Sequence, residues 1–569
     1  MTGIDWGVFA AYLFGVLGFA LWQSRRNEGV EGFFLGNRTM PWWAIGLSVM
    51  ATQASAITLI GTTGQGYTDG MRFVQTYLPL PFAMIILSVV FVPFFYRAKL
   101  FTAYEYLEER FDAKTRSLAS FLFLVGRAMG TGVIMYAPAI VLSTILGWDE
   151  RITISIMAVF TIGYTVTGGI TAVIWTDVVQ MLMMFGGIVL AILFMVAGLP
   201  EGVGVADAAY IGGVQQMWNA IDFTWDPQSR YTIWSGLIGG TFLFLGYFGA
   251  DQSQVQRYLT ANSERDSRLS LIFNGFMKVP MQIAILGIGV LMFAFYHFEQ
   301  PPIVFNEAEV RTVMESERAA EFEALSVRFA DAHAERRTTV MAILEARDLG
   351  GGGARDLELT LASQDATLLG LREAAKAIVT DIRGSESNDT NYIFPTWLTT
   401  YFPVGLVGLM IATVFAAAMS SIDSELTALS SATVIDFYRR WFRTDATDAH
   451  YLTVSRLATL FWGITAWGFA LRAGQGGSLI ELVNEVGSLV YGSILGAFLL
   501  AFFVPRAHGT PAFLGVLCGV GTVVFVNFST EVGWLWWNPI GVGMVLVVGT
   551  LLSFVMTPPP STPSARTAP

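Results

Sequence analysis

AAAMSSIDSELTALSSATVIDFYRR, residues 416–440, follows an apolar run from Val404 to Phe415 and so continues a helix buried in a membrane. Within six consecutive positions it carries Ser420, Ser421, Asp423, Ser424 and Glu425. Ser420, Asp423 and Ser424 stand at i, i+3 and i+4, so they share one helix face. Polar and ionisable groups at bilayer depth are costly, and they face a cavity, a partner or an ion path. The serines alone also suit plain helix–helix adhesion. A carboxylate at Asp423 asks for more: a counter-charge, a proton or a cation.

The composition around this stretch is that of a membrane protein. Of 569 residues, 54% are hydrophobic and only 14% charged, against roughly 25% charged in soluble domains. Apolar runs of bilayer-spanning length follow one another. We expect about 13 spanning helices, near 4–22, 42–61, 74–96, 117–146, 152–166, 171–197, 233–248, 269–298, 404–438, 452–471, 480–503, 512–528 and 537–555. Basic residues concentrate in alternate short loops (Arg25, Arg26 and Arg38; Arg97, Lys99, Arg110, Lys114 and Arg116; Arg257, Arg265 and Arg268; Arg439, Arg440 and Arg443). That asymmetry puts the N-terminus outside and the C-terminus in the cytoplasm, as for a bacterial inner-membrane protein. No cleavable signal is expected ahead of the first helix. The Pro/Ser/Thr-rich tail from Pro558 is expected to be disordered.

Several chemistries find no support. No basic–aromatic interleaving suggests nucleic acid, and the net charge is −11. One cysteine, Cys518, excludes an internal disulfide and a cysteine metal cage. The four histidines form no ligand spacing, and no GxxxxGK[ST] suggests ATP. The drive for any transport is then an ion gradient or downhill flow.

Polar residues enter other spans too. The second, PWWAIGLSVMATQASAITLIGTTGQG, carries Thr52, Gln53, Ser55 and Thr58 midway. Such a segment can unwind, and unwound backbone at membrane depth lines cavities and coordinates ions in secondary transporters. Tight small-residue packing is the competing reading. Asp177 lies near the start of the sixth span, as an interfacial residue or an inward-facing cation ligand. Lys278 lies early in the eighth, snorkelling or pointing into a polar core. Residues 300–391 read as two soluble helices broken at Gly350–Gly353. This outer-face hairpin is a solvated decoration, a cover for the vestibule or the seat of an extracytoplasmic partner.

FFLGNRTMPWWAIGLS (33–48), TAYEYLEERF (102–111), GGITAVIWTDVVQ (168–180), DQSQVQRYLTA (251–261) and AAAMSSIDSELTALSSATVIDFY (416–438) occur in an order and spacing that resemble the sodium:solute symporters. The resemblance spans nearly the whole chain outside 300–391. It implies an all-α polytopic protein of LeuT-type fold, two inverted five-helix repeats with one helix before and two after. The implied division is 1–40 first helix and loop, 41–200 first repeat, 201–230 outer loop, 231–299 and 392–504 second repeat, 300–391 insertion, 505–556 last two helices and 557–569 tail.

The resemblance also implies sites. A main sodium site falls on the carbonyls of Ala51, Ala54 and Ala417 and the hydroxyls of Ser420 and Ser421, all oxygen ligands suited to a hard cation. A second falls on Asp177 with Ser420, Ser424 and Asp423; Asp423 stands where some members have serine. Solute contacts fall on Gln53, Thr58, Tyr77, Phe244, Tyr247, Lys278 and Asn484. Tyr77 replaces the glutamate that anchors sugar hydroxyls in sugar carriers. The implied partners are Na+, a small organic solute and membrane lipid. Sodium-coupled sugar uptake by alternating access is the first reading; a monocarboxylate, vitamin or amino acid is the alternative solute. A transporter-like sensor without flux is the rival of another class, and no nucleophile–base set suggests an enzyme.

Overall fold

The computed structural model describes residues 2–24, 29–166, 169–349, 354–384, 386–473 and 479–557. Arg25, Arg26, the Gly350–Gly353 break and the tail from Pro558 lie outside them. The thirteen expected segments are all helical. Ten stretches among the described residues are long and apolar enough to cross a membrane. The second, fifth and seventh expected crossings are the interrupted or shorter ones.

We label the principal helices α1 (Gly3–Ser24), α2 (Trp42–Gln53), α3 (Ala56–Asp69), α4 (Ala113–Leu146), α5 (Glu150–Thr165), α6 (Ile170–Ala197), α7 (Gly240–Ala250), α8 (Gln252–Tyr258) and α9 (Glu264–Phe298). Then follow α10 (Ala319–Asp348), α11 (Ala354–Arg383), α12 (Leu406–Ala432), α13 (Asp448–Ala473), α14 (Leu479–Phe503), α15 (Gly509–Ser529) and α16 (Trp537–Val555).

The axis of the bundle is α12, which touches α1, α2, α3, α4, α6, α8 and α13. Every residue from Met410 to Ala432 is buried, so its polar run faces protein on all sides. Its first turn is held by α1: Asp5 Oδ1 accepts from the Gly405 and Gly408 N–H groups at 2.6 and 3.1 Å. A carboxylate there satisfies otherwise orphaned donors and complements the positive end of the helix dipole.

The second span breaks in two, as its composition suggests. Ala54 (φ −88, ψ 67) and Ser55 (φ −74, ψ 175) leave helical geometry between α2 and α3. Farther along, α3 packs backbone to backbone on α9. A Cβ on Gly66 would stand 2.5 Å from Leu286 O, and one on Gly289 would meet Thr63 O. Gly66→Ala is expected to cost about 1–3 kcal/mol by overpacking, read as a lower melting temperature in detergent.

The insertion forms the expected pair of helices, α10 against α11, with a short helix (Glu307–Met314) before them. Phe322, Phe329, Leu368, Leu371, Ile378 and Val379 build a small core of its own. Val340, Ile343 and Leu361 pack on Phe298 at the end of α9 and on Ile211 of the 201–230 stretch. Polar ties fix the docking: His333 Nε2 and Arg336 Nη2 bond Tyr296 O at 2.9 and 2.6 Å. At the return, Asp389 accepts from Phe305 N and Arg372 Nη2, both at 2.7 Å, and pairs with Lys376 Nζ at 3.2 Å. Burial alone would raise the Asp389 pKa; Arg372 and Lys376 outweigh it and hold the carboxyl below its ordinary range. A depressed carboxyl contributes stability above its unfolded pKa and loses it as pH falls through the folded value. The hairpin junction is therefore expected to resist limited proteolysis at pH 7 and to become cleavable below about pH 4, and Asp389→Asn to show that sensitivity at pH 7.

Candidate functional site: a broken helix, a polar helix and the cavity between them

Ending α2 at Gln53 leaves its last carbonyls outside the helical ladder. Ala54 N–H still donates to Met50 O at 2.8 Å. Thr52 O instead takes its bond from α12: Ser421 Oγ donates to it at 2.8 Å. Thr52 Oγ lies 3.3 Å from Ser424 Oγ. The two spans thus meet through oxygen-bearing groups, all buried. Ala51, Ala54, Ala417, Ser420 and Ser421 are each 0% exposed. Ser421 Oγ also reaches Ala417 O at 3.3 Å. Ser420 lies beside Asp177, yet neither Ser420 Oγ nor Asp177 Oδ1 makes a hydrogen bond of ordinary geometry. Buried polar atoms of this kind call for an ion or water.

On the far side of Asp177 stands an arginine whose role the sequence did not disclose. Arg257 of α8 is fully buried. Its Nη2 pairs with Asp177 Oδ2 at 3.3 Å and donates to Ser424 Oγ. Its Nε donates to Ser48 Oγ at 2.9 Å, and Ser48 in turn donates to Asp177 Oδ2 at 2.5 Å. One guanidinium therefore joins α2, α6 and α12. The residues assigned to a second cation site, Asp177 and Ser424, are brought together around it. Asp423, also buried, is bonded through Oδ1 to Ser424 Oγ at 3.2 Å.

Beside the break lies a cavity lined by Gln53, Thr58, Tyr77, Phe244, Tyr247 and Asn484, six of the seven residues assigned to the solute. Tyr77 and Phe244 face each other with ring centroids 5.6 Å apart. Lys278 is not among the lining residues. It is fully buried between Asn274 and Gln282 on one face of α9, and the side-chain nitrogen and oxygen atoms of all three lack partners among the described residues.

The charged wall of the cavity is Arg127 of α4 and Glu425 of α12. Arg127 Nη1 donates to Glu425 Oε1 at 2.7 Å; its Nη2 donates to Asp251 and, at 2.6 Å, to Tyr491 OH. Thr131 Oγ donates to Glu425 Oε2 at 2.7 Å. The guanidinium also lies over the Tyr247 ring, 5.3 Å from its centroid. A signal for it existed: within 117–146, Arg127 is a lone charge, and an intramembrane ionisable residue marks a functional site by default.

Comparison with known proteins can be set against this geometry. The family model described as the sodium:solute symporter family matches residues 33–321 and 366–519. The gap between the two blocks falls within α10, the start of α11 and the Gly350–Gly353 break between them. The sodium/sialic acid symporter SiaT of Proteus mirabilis (strain HI4320) is 27% identical over 98% of this chain and 96% of its own length. The sodium/glucose cotransporter of Vibrio parahaemolyticus is 27% identical over 93% of this chain and 86% of its own. A solved structure of a Na+-coupled sialic acid symporter, in a substrate-bound outward-open state, matches with a TM-score of 0.76 at 25% identity. It covers 98% of this chain and 99% of that one.

Proposed function

The chain belongs to the sodium:solute symporter family and is a multi-pass, sodium-coupled symporter of LeuT-type fold, and from that premise we propose where its ion and its solute bind. Sodium takes the carbonyls of Ala51, Ala54 and Ala417 with the hydroxyls of Ser420 and Ser421. The observation that carries this reading is the break at Ala54–Ser55, just past Thr52, whose carbonyl accepts from Ser421 of α12. Neutral oxygens suit a hard monovalent cation that must also be released. Inward movement of one charge across 100 mV supplies about 2.3 kcal/mol, apart from the concentration gradient. The protein is a transporter and not an enzyme.

A second sodium beside Asp177 would use Ser420, Ser424 and Asp423. Arg257 already supplies positive charge to that carboxylate, which weakens the pull on another cation. The five-oxygen site is therefore the coupling site in this proposal. The solute occupies the cavity lined by Gln53, Thr58, Tyr77, Phe244, Tyr247 and Asn484, with a sugar as the first class. The two repeats, 41–200 and 231–299 with 392–504, rock about these sites in a bacterial inner membrane, N-terminus outside. The 300–391 insertion then stands over the outer mouth, where an extracytoplasmic partner would meet it.

Purified protein tests this by thermal shift. Sodium is expected to raise the melting temperature and to strengthen the shift given by a bound solute, while potassium does neither. Equal effects of the two ions would remove the sodium site.

A further inference from the structure

We infer that the solute carries no negative charge, being an uncharged, hydroxyl-rich molecule, and that Glu425 is the specificity-determining residue that excludes carboxylates. This rests on the symport reading above and deepens it.

Family members move solutes of different charge: one relative here is a sialic acid carrier, another a glucose carrier. Arg127 is the one cation among the residues lining the cavity, and at first sight it could anchor an acid. Its surroundings argue otherwise. Two carboxylates already hold it, Glu425 and Asp251. All four of their oxygens are engaged in a hydrogen bond. Glu425 Oε1 and Oε2 take Arg127 and Thr131, and Asp251 Oδ2 takes Arg127. Asp251 Oδ1 takes the Ser253 N–H and Oγ at 2.8 and 2.7 Å. Each acid pairs directly with the guanidinium, and Asp251 also accepts from a backbone N–H, the arrangement expected of carboxylates bound to an arginine. Two negative charges against one positive leave the cluster net negative, with Glu425 on the cavity wall. An entering carboxylate would have to displace Glu425 from Arg127 or sit beside it in a low dielectric, where like charges repel strongly.

What the cavity does offer is two hydrogen-bonding groups left open. Among the described residues, Arg127 Nε is a buried donor without a partner, and Gln53 Oε1 a buried acceptor without one. Solute hydroxyls can accept from the one and donate to the other. A cation could use Gln53 Oε1 but not Arg127 Nε. Tyr77, Phe244, Tyr247 and Tyr491 supply flat apolar faces for the carbon skeleton.

The approach from the insertion points the same way. A second cavity there is lined by Asp69, Glu150, Glu309, Glu386, Glu481 and Glu485 against Arg230 and Arg383. Glu309, Glu386 and Arg383 come from the insertion itself. A mouth lined mostly by one sign of charge focuses the field and disfavours anions before they reach the cavity.

The test uses the full chain, with melting temperature and proteoliposome uptake read in sodium. The probes are a hexose and polyol panel on one side and lactate and sialic acid on the other. The native protein is expected to respond to a neutral member of the panel and to neither acid. Glu425→Gln removes the excess charge, leaves Asp251 on Arg127, and is expected to gain carboxylate binding by tenfold or more. Should that variant not fold, the native panel decides. Acid binding by the native protein, with or without sodium enhancement, overturns the inference. Neutral-solute selectivity without sodium dependence supports it and instead removes the sodium site proposed above.

Discussion

Uptake into proteoliposomes is expected to lose its sodium stimulation when Ser420 and Ser421 are both replaced by alanine. The double change deletes the two side-chain ligands and leaves only carbonyls. Sodium affinity should fall by roughly a hundredfold or more, the scale over which ligand number tunes oxygen-ligand cation sites. The single variants separate ion binding from structure. Ser421 Oγ bonds Thr52 O, so Ser421→Ala also loosens the joint between α2 and α12. Ser420 Oγ has no such bond, so Ser420→Ala should keep the native melting temperature in the absence of sodium while losing the sodium-induced rise. If the double variant kept the native sodium dependence, the site would lie elsewhere.

The second large effect is expected at Arg257. Removing it leaves Asp177 buried with one hydroxyl donor where it had a charge partner. Breaking a buried pair from one side costs about 3–5 kcal/mol, because the remaining charge is uncompensated. Arg257→Gln should therefore lower the melting temperature steeply. Adding Asp177→Asn removes the stranded charge and should recover most of the loss. Equal destabilisation by the single and the double variant would mean that Arg257 acts through packing alone. The cycle also bears on coupling: if the guanidinium occupies the place of a second ion, the single variant should steepen the sodium dependence of uptake.

The insertion illustrates how far local pattern reaches. Its helical periodicity was legible, and α10 and α11 form the expected pair. Nothing in that pattern said which face would dock on Tyr296 O or that Glu309, Arg383 and Glu386 would line the second, acidic cavity. Lys278 is the converse case. The family resemblance placed it among the solute contacts, but α9 carries it on a face with Asn274 and Gln282, away from the lining residues.

By itself the sequence determined the class of molecule and the positions of its helices, and it offered the interruption of the second one as one of two readings. These depend on hydropathy and on small and polar residues within single turns, which are properties of neighbours along the chain. The serines of α12 were visible in the same way, but alone they suited helix adhesion equally, and only the family resemblance turned them into ion ligands. Only the tertiary structure decided that Arg257 sits on Asp177, or that Arg127 is already held by Glu425 and Asp251. Those partners lie 80, 298 and 124 positions away. The charge a solute meets is a sum over residues brought together in space, and no window along the chain contains that sum.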